Sequence, residues 1–216
     1  MTDNWLLERV TFVIPLILSL SVHEWAHAYS AHLLGDDTAA RMGRLTLNPI
    51  PHIDPIGTLL LPLMGVPFGW AKPVPVNPAR FSRKVSMNTG MMITATAGPA
   101  SNLVLAILCI VAKIVLIRAG VRDEAVWWLV STGFWLNVIL AFFNMLPIPP
   151  LDGSRVVDGL MPYRLRPAWE RIARYGPLAL LAVIVLPRMF SFSLFSGPLR
   201  MANDLANAMI RAALGV

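Results

Sequence analysis

Apolar residues run in long blocks along this chain, separated by short stretches that hold most of the polar side chains. The first block, residues 5–34, predicts a helix of roughly 43 Å, longer than the ~30 Å hydrocarbon core of a bilayer. It has no basic flank and small-residue cleavage site, so it does not read as a signal peptide. Residues 87–119 and 125–146 predict two further spans, joined by a connection too short for an inserted soluble domain. Residues 169–190 read as another span, with Pro177 and Pro187 near its ends. Residues 192–216 contain Arg200, Asn203, Asp204 and Arg211, which fits either a marginal span or an amphipathic helix on the membrane surface.

Between residues 35 and 86 the pattern changes to Pro- and Gly-rich sequence with short extended pieces at 44–48 and 70–76. Pro73 and Pro75 suit an edge strand or an isolated extended segment. The apolar stretch 56–68 is short and broken by Pro62 and Pro67, which predicts a re-entrant or interfacial segment rather than a crossing. The expected fold class is therefore an all-α polytopic membrane protein. Three transmembrane helices form its core, one or two more follow, and a membrane-associated extended or β-hairpin and re-entrant region lies on the cytoplasmic side. A single membrane-embedded domain over residues 1–216 is expected, with its core at about 5–160 and C-terminal helices at about 165–216.

Composition sharpens this reading. Only 14% of the 216 residues are charged, against about 25% in an ordinary soluble domain, and 56% are hydrophobic. That balance excludes a cytosolic enzyme and a disordered tail. The net charge of +6 reads as basic loops held against an anionic leaflet, not as a nucleic-acid surface. Six Lys and Arg residues lie in 35–86 and four in 147–171, whereas Arg122 in the 119–124 connection is offset by Asp123 and Glu124. The first two segments are thus expected to face the cytoplasm, with the N-terminus outside. The lone Cys109 excludes an internal disulfide and reads as packing.

The strongest chemical signal is His23-Glu-Trp-Ala-His27. Residues four apart share a helix face, so His23 and His27 can present two nitrogens to one metal ion, with Glu24 offset to reach a bound water. Ionisable side chains inside a span are costly and usually functional. A catalytic zinc takes three protein ligands and keeps one open position. His32, His52, Asp36, Asp37, Asp54 and Asp152 are the candidates for the third. Asp152 is the best placed, because Pro147, Pro149 and Pro150 unwind the preceding span and Gly153 permits a sharp turn. His32 reads as an interfacial side chain. His52 and Asp54 occupy a tight polar turn whose role is either structural or substrate-contacting.

These motifs resemble the site-2 proteases, the zinc-dependent intramembrane metalloproteases. The similarity rests on His23-Glu-Trp-Ala-His27, Gly98-Pro-Ala-Ser-Asn102 and Asn144-Met-Leu-Pro-Ile-Pro-Pro-Leu-Asp-Gly153, and covers roughly residues 10–160. It implies one Zn²⁺ per chain held by His23, His27 and Asp152, with Glu24 as catalytic base. Asn144 is implied to hold the substrate backbone or the developing oxyanion, and Asn102 to act nearby. The implied form is compact, without a PDZ or other appended regulatory domain. The implied partners are the lipid bilayer and single-span membrane-protein substrates such as membrane-tethered regulators. The implied place is the inner membrane of a prokaryote, with the site near the cytoplasmic side. The segment before Met87 offers either an edge for an unwound substrate or a structural cap. A metal or proton transporter using the same His/Asp cluster is the competing class, but the chain shows none of the paired repeats common in transporters.

Overall fold

The computed structural model describes residues 5–66, 69–189 and 196–215. The first helix, α1 (Trp5–Leu33), contains Pro15 and ends at Gly35, whose φ of 107° turns the chain sharply. A short helix α2 (Thr38–Arg41) follows. A π-helical turn (Pro55–Leu60) leads directly into α3 (Leu61–Leu63). Asp54 caps that turn, accepting the N–H groups of Ile56 and Gly57 at 3.0 and 2.7 Å.

The expected short apolar segment is thus a compact helical excursion of two short elements, packed against α1. At about 1.5 Å per residue it is far too short to cross a bilayer. The Phe68 end of the expected segment lies outside the described residues.

The expected β-hairpin is not formed among the described residues. Residues 69–77 form no regular element, and their backbone groups are used one at a time. Trp70 N–H donates to Gly57 O at 3.3 Å and Lys72 N–H to His52 O at 2.9 Å. Asn77 N–H donates to the Asp36 carboxylate at 2.6 Å. Pro73 and Pro75 have no N–H to give, so no continuous ladder can grow.

Two helices then carry the apolar bulk. Ser86 caps α4 (Met87–Arg118) through Thr89 N–H at 3.1 Å, and Asp123 caps α5 (Glu124–Asn144) through Val126 N–H at 3.0 Å. Both are long and apolar enough to cross a membrane. Leu103, Val104, Ile107, Leu108, Val111 and Val115 of α4 are exposed, an unbroken apolar surface that lipid would cover.

After the proline-rich break come α6 (Asp152–Leu160), α7 (Arg166–Ala173) and α8 (Gly176–Met189). The span expected over 169–190 is therefore two helices, separated at Arg174 and Tyr175. Arg171 and Arg174 break the apolar run there. The fourteen residues of α8 rise about 21 Å, short of the hydrocarbon thickness. Phe190 lies outside the described residues, as do 192–195 at the start of the last expected segment. The remainder forms α9 (Ser196–Leu214), which packs along α4 and α5.

The central element is α4, in contact with α1, α5 and α6. Leu16, Leu20, Ala71 and Leu136 form one buried cluster beside the site. Ala106, Ile110, Phe134, Val138 and Ala206 form another towards α9.

Candidate metal centre

One turn of α1 sets His23 above His27, and the break after α5 brings Asp152, the first residue of α6, to both of them. Asp152 Oδ2 stands 3.2 Å from His23 Nε2 and 3.3 Å from His27 Nε2, and the two Nε2 atoms are 3.0 Å apart. Ligand atoms about 2.0–2.2 Å from a tetrahedral centre stand roughly 3.3 Å from one another, so this spacing suits zinc.

Hydrogen-bond polarity gives an independent test of fit. His27 Nδ1 lies 2.7 Å from Thr94 O, a carbonyl that can only accept, so Nδ1 carries a hydrogen and donates. His23 Nδ1 lies 2.6 Å from Asn102 Oδ1. The orientation of that amide is fixed from behind. Asn137 Nδ2 donates to Gly133 O at 2.8 Å and to Ser19 Oγ at 2.9 Å, leaving Asn137 Oδ1 to accept from Asn102 Nδ2 at 2.8 Å. Asn102 therefore turns its oxygen to His23, and His23 Nδ1 also donates. In their neutral form both imidazoles then direct a bare Nε2 lone pair inward, towards a buried Asp152 Oδ2 that accepts no hydrogen bond. Three lone pairs aimed at one point are a donor set that could hold a cation. A proton satisfies two of them at a time, whereas a metal ion satisfies all three.

Gly98 completes the enclosure. A Cβ at this position of α4 would overlap His27 Nε2 and crowd His23 Cε1, so only glycine admits both rings.

Glu24 is buried beside the two histidines, and its Oε2 accepts Val74 N–H at 2.7 Å. His23, Glu24, His27, Asp152 and Asn144 all line one cavity of about 650 Å³. Trp70, Val74, Phe143 and Leu180 give it apolar walls. Asn144 donates to Leu140 O at 3.0 Å, which leaves its amide oxygen turned elsewhere.

The remaining candidates stand apart from the three converging groups. Asn102 is fully buried behind His23 and does not line the cavity. His52 is buried with Nε2 2.9 Å from Thr46 O, and Asp54 caps the π-helical turn. His32 is exposed. Asp36 accepts from Thr38 and Asn77, and Asp37 pairs with Arg41 and Arg80. Burial pushes the Asp37 carboxyl up, but hydrogen bonds from Arg41 and Arg80 outweigh it and hold the group below its ordinary range. Asn137, Ser19 and Val74 touch the site and were missed by pattern reading, whereas Gly98 lies in the 98–102 motif without this role having been assigned to it. Asn137 alone carried a signal, as an amide in the middle of an apolar run.

Residues 114–187 match the profile of Peptidase family M50, which takes in Asn144 and Asp152 but not the histidine pair. The chain is 43% identical over 183 residues to YwhC of Bacillus subtilis (strain 168), which bears a zinc metalloprotease name; the match covers 81% of this chain and 80% of YwhC. It is 31% identical over 176 residues to the similarly named Rip2 of Mycolicibacterium smegmatis, covering 80% of this chain and 66% of Rip2. A shorter match, 40% over 63 residues, relates it to MJ0611 of Methanocaldococcus jannaschii, also named as a zinc metalloprotease. No solved structure matches the chain. These relationships favour proteolysis over transport. The chain belongs to peptidase family M50, the site-2 proteases, and is a zinc-dependent intramembrane metalloprotease.

Proposed function

We propose that His23, His27 and Asp152 hold the zinc ion and that Glu24 is the general base for hydrolysis of a peptide bond within or near a substrate's transmembrane segment. The observation that carries this reading is the convergence of three lone pairs beside a buried carboxylate in one apolar-walled cavity. Zinc, when bound there, supplies Lewis acidity that polarises a carbonyl and acidifies water. Glu24 accepts a proton from the attacking water and returns it to the leaving amine. Its second carboxylate oxygen stays anchored on Val74 N–H, which keeps the group from swinging away. Asn144, on the cavity wall, holds the scissile segment or its developing negative oxygen.

The architecture that serves this chemistry has α1, α4 and α5 as its spans, with the N-terminus outside and the 35–86 segment at the cytoplasmic face. Leu33 is six residues beyond His27, so the metal lies about 10 Å from that end of α1 and water enters from the cytoplasm. A substrate helix has no free backbone groups and must unwind to be cut. The substrates are single-span proteins such as membrane-tethered regulators in a prokaryotic inner membrane.

The test is purified protein in lipid with a single-span reporter. Glu24→Gln is expected to lower cleavage by about 10²- to 10⁴-fold while zinc stays near one per chain. Asp152→Ala is expected to lose zinc as well as cleavage. Wild-type cleavage in Glu24→Gln, or wild-type zinc affinity in Asp152→Ala, would remove the respective assignment.

A further inference from the structure

The polar face of α9 has no part in the site described above. Leu199, Ala202, Ala206, Met209 and Ile210 pack onto the cluster around Ala106, Ile110, Phe134 and Val138. Arg118, the last residue of α4, donates to Ala213 O, so the two helices run side by side with their C-terminal ends together. Nineteen residues of α9 rise about 28 Å, close to the hydrocarbon thickness. Its middle therefore lies at the depth of α4's apolar surface, where Leu103, Ile107 and Val111 are exposed as lipid demands.

The outward face of α9 is different in kind. Along its exposed arc, at spacings of three and four residues, stand Gly197, Arg200, Asp204, Asn207, Ala208 and Arg211, with Met201 and Leu205 exposed beside them. Charged and amide groups at membrane depth are turned to protein or to a water-filled cavity rather than to lipid. No α9 residue lines the cavity that holds Glu24. Among the described residues, nothing covers this stripe.

We infer that the stripe is a homodimer interface, with the α9 of a second copy seated on it about a two-fold axis along the membrane normal. The pattern is complementary to itself. Arg200 and Asp204 are opposite in charge and one turn apart, so two parallel copies form a pair of Arg200–Asp204 contacts across the axis. Asn207 is both donor and acceptor and bonds its own counterpart. Gly197 and Ala208 lack bulk and let the two backbones approach. Arg211, near the helix end, extends its guanidinium to the membrane surface. Because α9 stands apart from the cavity, such a dimer leaves both sites open to substrate.

Cysteine cross-linking of the full chain in native membranes tests this, in a Cys109→Ala background. Ala208→Cys is expected to give disulfide-linked dimer, whereas Ala206→Cys, buried against α4 and α5, is not. Adding Asp204→Arg to Ala208→Cys is expected to lower the linked fraction at least tenfold. Combining Arg200→Asp with Asp204→Arg is expected to restore it, and that recovery separates a lost contact from a misfolded helix. Absence of an Ala208→Cys dimer, persistence of the dimer with Asp204→Arg alone, failure of the double exchange, or cross-linking only to a different protein would each overturn the proposal.

Discussion

Val74 donates its backbone N–H to the Glu24 carboxylate at 2.7 Å, joining groups fifty residues apart in sequence. The extended segment that carries Val74 is itself tied down at Lys72, whose carbonyl accepts from the buried Arg44 at 2.6 Å, and at Asn77, held by Asp36. A loop rich in proline therefore fixes the orientation of a carboxylate on α1. A hydrogen bond to a charged group is worth about 1.5–3 kcal/mol, enough to matter for a base that must face one water.

Val74→Pro removes that donor and keeps an apolar side chain on the cavity wall. The flanking Pro73 and Pro75 already impose the extended conformation, so the fold is expected to survive. Cleavage of a membrane reporter is expected to fall by on the order of tenfold or more, with zinc content unchanged. Val74→Ala keeps the N–H and is expected to stay near wild type. Equal activity in the Pro and Ala variants would show that the bond does not matter.

Gly98→Ala places a methyl group where the two imidazoles lie. Displacing a ligand by about 1 Å can cost 10²-fold in rate, and here metal retention is expected to suffer with it. Zinc analysis after chelator challenge is the measurement, and a variant that retains the metal as firmly as wild type would mean the rings can yield.

Asn137→Leu replaces an amide by an apolar side chain of similar size and frees Asn102 to flip. Outer partners of metal ligands typically contribute 10- to 100-fold in affinity, and a loss in that range is expected in competition with a zinc chelator. Ser19→Thr retains the hydroxyl and is expected to bind zinc like wild type. The Co²⁺-substituted protein offers a second readout, because a change in its visible spectrum reports ligand geometry whether or not substrate turns over.

Cysteine labelling tests the arrangement across the membrane. A cysteine in the 119–124 connection is expected to react with an impermeant reagent from outside, and one beside Arg83 only after the membrane is opened. Reaction of both from the same side would reverse the assignment of the spans.

The reading from sequence was reliable wherever a long apolar period set the structure. The bounds expected for α1, α4 and α5 differ from those observed by one or two residues, because Gly35, Ser86, Asp123 and the prolines after Asn144 punctuate them. It failed where tertiary partners decide. Residues 70–76 have the composition of an edge strand, yet their donors go singly to Gly57, His52 and Glu24, which no local pattern announces. The block at 169–190 is hydrophobic enough to suggest one helix, but Arg171 and Arg174 divide it. Among the site residues, His23 and His27 were visible through their spacing and Asp152 through the break that precedes it. Ser19 was not, and Asn137 stood out only as an amide in an apolar run, since a hydroxyl and an amide 118 residues apart meet only after α1 and α5 have packed on either side of Asn102.

That buried relay bears on how the protein acquires its metal. Each amide in it has a single permitted orientation, dictated by the carbonyl of Gly133, while the carbonyl of Thr94, which likewise cannot donate, sets His27 Nδ1 as a donor. The imidazole tautomers are thus decided by helix assembly, before any ion arrives. In small zinc modules, by contrast, the metal organises an otherwise unfolded chain. Here zinc would enter a receptor already shaped for it, so stripping and reloading the ion is a ligand-exchange event on a standing scaffold, and the apoprotein should keep its helical content throughout.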